Sequence, residues 1–164
     1  MPGRSYEPLT VADLRRLGKL AERDRCDLFF RRKETGNLYS NRLFAVALCQ
    51  GAALHYINGT NGINDFDVWS FFRANPVRMF PYRRRGIADF GDAKFGTTDD
   101  SPDYVGRRVD CMGRSIEAED FSDPVAVLRI YLRAERTRSA HFLAQKPMVL
   151  LEPSRLLGTV VWPE

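Results

Sequence analysis

The chain has 164 residues, 44% of them hydrophobic and 28% charged, with a formal net charge of +4; this fits one globular domain with a substantial core and excludes a fibrous or low-complexity protein. Two histidines and three widely spaced cysteines, Cys26, Cys49 and Cys111, exclude a histidine-rich metal site, a zinc knuckle and a disulfide framework. The longest apolar run, Leu43 to Cys49, is too short to span a bilayer, and Met1-Pro2-Gly3-Arg4 lacks the apolar stretch of a secretory signal; the expectation is a soluble cytoplasmic protein whose mild basicity suits a polyanionic ligand.

Residues 1–8 read as a loose leader. Thr10 is placed to cap a helix, with Asp13 three residues later in the first turn. Val11, Leu14, Leu17 and Leu20 then recur at helical spacing, with Arg15, Arg16 and Lys19 outside. The pattern continues through Leu28-Phe29-Phe30 to the basic cluster Arg31-Arg32-Lys33, and Glu34-Thr35-Gly36-Asn37 reads as a break, so one or two helices are expected. The apolar run Leu43–Cys49 followed by Gly51 suggests a strand turning into a short helix, Gly51 to Ile57, which Asn58-Gly59 ends. Asp65 to Phe72 reads as a second strand, stopped by Asn75-Pro76. A helix is expected near Arg83–Phe90, then a loop or hairpin from Gly91 to Asp103, then a third strand from Tyr104 to Ile116. Pro124 after Asp123 opens an amphipathic helix that ends before Phe142. Pro147–Leu151 and Leu156–Trp162 read as short closing strands. Together these make one α/β (α+β) domain, 1–164, with a small mixed sheet flanked by helices.

The chemistry concentrates in Asp65-Phe66-Asp67-Val68. Side chains alternate faces along a strand, so Asp65 and Asp67 share one face about 7 Å apart while Phe66 and Val68 enter the core. Two carboxylates so placed repel unless a cation lies between them, and they are suited to a divalent metal. Further on, Asp110 shares a face with Arg108 and Met112, and Val109 and Cys111 share the other. His55, Cys49 and Cys111 sit among apolar residues and read as core. Arg83-Arg84-Arg85 reads as a solvated face or a polyanion contact with Tyr82 as a stacking partner.

An apolar strand, Gly51-Ala52, the 12 residues Ala53 to Asn64, Asp65-Phe66-Asp67-Val68 and a later Val109-Asp110-Cys111 resemble the signature of the nucleotidyltransferase fold of polymerase-beta-like enzymes: hG[G/S], about a dozen residues, Dh[D/E]h and a third acidic residue on a later strand. Gln50-Gly51-Ala52-Ala53-Leu54 looks like the opening of the AbiEii-type and related minimal branches, which include toxins of toxin–antitoxin systems. The resemblance covers 43–72 and 105–116. It implies a magnesium-dependent (or manganese-dependent) transfer of a nucleoside monophosphate from an NTP to a hydroxyl of protein, RNA or a small molecule. Asp65, Asp67 and Asp110 would ligate metal and form the catalytic centre, with Asp110 activating the acceptor; Gly51 and Ala52 would hold the phosphates. The chain departs from the family where Ala52 replaces a Gly or Ser, where Gln50 stands in a position often taken by Gly, and where Asn61, Ile63 and Asp65 fall at an R-x-[S/T]-x-D pattern, so a local phosphate-binding cation is missing unless Lys94, Arg107 or Arg108 supplies it. The alternative is a degenerate module of the same fold that binds a nucleotide, RNA or a partner protein through the basic face near Arg83–Arg85. A third is an unrelated α/β domain with coincidental carboxylates.

Overall fold

The computed structural model describes residues 5–60, 62–82, 84–91, 97–98 and 101–164, with the backbone alone for 97–98 and 101–105. Thr10 opens α1 (Val11–Arg31) through a reciprocal capping box with Asp13. The expected break at Glu34–Asn37 falls instead at Arg32, and Glu34–Asn37 lie inside α2 (Lys33–Tyr39). Gly36 is needed there as a contact: a Cβ would press on the Phe29 backbone and side chain. β1 (Leu43–Cys49) turns directly into α3 (Gln50–Asn58), which ends on Gly59 at φ 70°. β2 (Phe66–Arg73) follows.

The helix expected near Arg83–Phe90 is a strand, β3 (Gly86–Asp89), pairing antiparallel with the start of β6. Four residues with no helical periodicity gain their hydrogen bonds from the neighbouring strand, an advantage local propensity does not register. The loop after it carries a small hairpin, β4 (Thr97–Thr98) with β5 (Ser101–Val105). The long third strand divides: Gly106 at φ 146° and Arg107 separate β5 from β6 (Arg108–Ile116). Asp123 caps α4 (Pro124–Ala134) as expected. A further short helix, α5 (Arg138–Leu143), is capped by Thr137. β7 (Met148–Glu152) and β8 (Val160–Trp162) close the chain with a 3-10 turn, Ser154–Leu156, between them.

Six strands form one mixed sheet in the order β3-β6-β2-β1-β7-β8, in which only β2 and β6 run parallel. Alternation splits the apolar residues between two cores. Val46, Leu48, Phe66, Val68, Val109 and Cys111 pack with Leu14, Leu17 and Ala21 of α1 and Ala52 and Ala53 of α3. Ala45, Ala47, Cys49, Trp69 and Phe71 pack on the other face with Val127, Leu128 and Leu132 of α4 and Leu143 of α5. The leader is not loose throughout: Ser5 pairs with Ile63, and Glu7 O accepts a bond from His55 Nε2 at 2.9 Å, which assigns the ring's proton to that nitrogen. No helix among the described residues is long and apolar enough to cross a membrane.

Candidate functional site

One row of residues crosses the sheet: Trp162, Met148, Cys49, Asp67, Asp110 and Ile87, each opposite the next. Residues opposite one another in a sheet share a face. Beneath α4 and α5 the row is apolar. Towards the open edge it turns acidic, and it ends at Ile87, which is 65% exposed. Asp67 and Asp110 are therefore side by side on parallel strands, with backbones about 4.8 Å apart. Asp65 immediately precedes β2. Asp67 lies opposite Cys49, where β1 ends and α3 begins.

The electrostatics identify these carboxylates as one group. Burial first, then the charges of Asp65 and Asp110, push the Asp67 carboxyl from 3.8 to about 6, against the pull of Arg85 and Arg108. Asp110 is buried, and its Oδ1 accepts a 2.7 Å bond from Arg108 Nε. Among the described residues, no three Asp, Glu, His or Cys side chains are gathered closely enough to hold a metal ion as placed. The donor chemistry fits a hard divalent cation even so, because all three groups are carboxylates and Arg85 and Arg108 only partly offset the repulsion on Asp67. Gln50 opens α3 at φ 64°, a conformation that costs a non-glycine residue about 1–2 kcal/mol. Gln50 N donates to Pro147 O, and no side chain caps this helix end. Gly51 is half-buried in the first turn, whereas the Ala52 side chain lies in the core, so only its backbone faces the junction.

Compared with protein-family models, with curated proteins and with solved structures, the chain matches none.

Of the expected carboxylates, Asp67 and Asp110 are thus side by side, and Asp65 acts on Asp67 through its charge. Within the basic cluster Arg83–Arg85, Arg85 is exposed and Arg84 is committed. Arg84 makes a bidentate ion pair with Asp24 of α1, and the Tyr82 ring is covered by the Arg114 guanidinium at 4.7 Å. Of the substitute cations, Arg107 is buried and donates to Ile63 O and Gly106 O, and Arg108 stands on Asp110. Asn61, Arg83 and Lys94 lie outside the described residues. Burial pushes the Cys111 thiol up to about 12 and the Cys49 thiol well up, so both are core groups rather than nucleophiles. Sequence reasoning places Arg108 on the face of Asp110 without pairing them, although a period of two brings them within reach. It misses Arg85 beside Asp67, which depends on how the chain enters β3, and the buried Trp69 Nε1 on the same face, which has no hydrogen-bond partner.

Proposed function

We propose that the chain is a small nucleotidyltransferase of the polymerase-beta-like fold that uses Mg²⁺ or Mn²⁺ to move a nucleoside monophosphate from an NTP to a hydroxyl. The observation that carries this reading is the in-register pairing of Asp67 with Asp110 beside the β1–α3 junction, with Asp65 electrostatically coupled to Asp67. Asp65, Asp67 and Asp110 would hold the cation, which when bound supplies positive charge to the phosphates. α3 begins directly after Cys49, the residue opposite Asp67, and helix N-termini favour phosphate. Asp110, the least exposed of the three, is fixed by Arg108 and orients the acceptor hydroxyl. Catalysis would then be positioning plus charge stabilisation, as in phosphoryl transfer generally.

The test is calorimetric titration of the wild-type chain and Asp67→Asn with Mn²⁺ plus each NTP in turn. Metal-dependent binding of an NTP that disappears in Asp67→Asn is expected. An NTP that binds equally to both, or none that binds the wild type, sinks the reading. The Arg108–Asp110 ion pair and the buried Ala52 side chain favour a second reading, a module of this fold that has lost turnover and retains nucleotide, RNA or partner-protein binding. Nucleotide binding without transfer to any acceptor would select it.

A further inference from the structure

We infer that Arg108 is the triphosphate ligand of this site, bridging Asp110 to the phosphates and supplying the cation absent from the family pattern. This rests on the nucleotidyltransferase reading above. Arg108 opens β6 and is 47% exposed, whereas the Asp110 side chain it holds is 7% exposed. It reaches Asp110 through Nε alone. Among the described residues its two terminal nitrogens have no hydrogen-bond partner. A guanidinium has five N–H donors in a rigid fork. One edge is engaged inside the site and the rest faces out, so the same side chain can take Asp110 Oδ1 and a phosphate oxygen together. Asp110 Oδ2 is left for a cation.

The surroundings support this assignment over a plain surface ion pair. The charge of Arg108 acts on Asp65 and Asp67 as well as on Asp110. Across the strand pair its partner is Asp89, whose carboxylate already accepts the Gly91 N–H at 2.9 Å. Arg84 is committed to Asp24, and Arg107 to backbone carbonyls. Among the described residues Arg108 is thus the arginine bonded to an acidic residue of the row that retains unbonded N–H groups, on a side chain 47% exposed.

The test measures Mn²⁺ binding by electron paramagnetic resonance, alone and with inorganic triphosphate, in the wild type, Arg108→Met, Arg108→Lys and Asp67→Asn. Removing a positive charge from beside the carboxylates should tighten Mn²⁺ alone in Arg108→Met severalfold. The same change should cut the gain that triphosphate brings by about tenfold, the order of one charge-assisted contact. These opposite signs would not arise from a merely structural role. Should Arg108→Met fail to fold, Arg108→Lys carries the test: an ammonium keeps the charge but not the planar fork that spans Asp110 and a phosphate in fixed geometry, so the triphosphate gain falls there too. A triphosphate gain equal to the wild type's in the folded Arg108 variants, with Mn²⁺ binding still lost in Asp67→Asn, overturns the role of Arg108 and leaves the nucleotidyltransferase reading standing. Absence of Asp67-dependent Mn²⁺ binding in every variant overturns both.

Discussion

Asp67 is a carboxylate placed where folding alone disfavours its charge. Its pKa is raised in the folded chain to about 6 from 3.8, so the folded state holds this proton more tightly than the unfolded state does. The sign follows directly: stability attributable to this group falls as pH rises from about 4 through 6, and the full penalty is present at neutral pH. Asp67→Asn removes the penalty. The variant should be more stable than the wild type at pH 8 by about 1–2 kcal/mol, discounted for partial exposure, and should lose that advantage near pH 4. Urea denaturation at both values checks this, and equal stabilities at pH 8 would contradict it. A residue whose neutral replacement stabilises the fold is held for another reason, and ligand binding is the reason the neighbouring carboxylates suggest. Gln50, strained at the adjoining junction, belongs to the same local pattern.

At the level of elements, β3 exists because of what it touches. Its Ile87 is exposed and its sequence has little strand character, but Gly86 lies against the Asp24 carboxylate, which Arg84 clamps from the residue-pair before the strand. A Cβ at Gly86 would collide with Asp24. Gly86→Ala should therefore cost about 2 kcal/mol by overpacking and by breaking the ion pair. In an Asp24→Ala background the same substitution should cost much less, because the obstacle is gone. A double-mutant cycle in urea measures the coupling; additive costs would show that the glycine serves another purpose. The contrast with α1 is instructive. Its capping box and i, i+3, i+4 apolar spacing are local, and it forms where the sequence predicts.

Across the whole molecule, α1 is the clamp that joins the sheet's edge to its centre. Arg16 donates to Phe90 O just beyond β3, Asp24 holds Arg84, and the buried Arg25 reaches Ser70 of β2 at 3.0 Å and Glu152 of β7 at 3.6 Å. Arg25 is desolvated in this position, and its pKa is lowered accordingly. Truncation by Arg25→Ala leaves a cavity and an unpaired, half-buried Glu152, and should cost about 3 kcal/mol. Arg25→Met keeps the volume and should cost roughly 1 kcal/mol or less when paired with Glu152→Gln. Thermal denaturation of Arg25→Ala, Arg25→Met and Arg25→Met/Glu152→Gln decides it; equal losses in Arg25→Ala and the double variant would mean that neither the cavity nor the unpaired Glu152 sets the cost, but the lost Arg25 hydrogen bonds.

The sequence by itself determined the elements whose cause is local. The capped helices, the apolar strand turning into α3, and the alternation that buries Phe66 and Val68 while turning Asp67 away from them all follow from spacing, and the two cores follow from that alternation. Asp65, Asp67 and Asp110 were legible as candidates for the same reason, since period two assigns each a face. Only the tertiary structure decided that β2 and β6 are neighbours in register, which makes two distant carboxylates a pair and pushes Asp67 upward. It also decided that Gly86–Asp89 is a strand, that Arg84 is committed to Asp24, and that Arg108, among the described residues, keeps free donors beside Asp110. The physical reason is range: propensity and periodicity act over one or two turns, whereas strand pairing and charge coupling join residues about 20 to 60 positions apart, and only the closed chain brings those together.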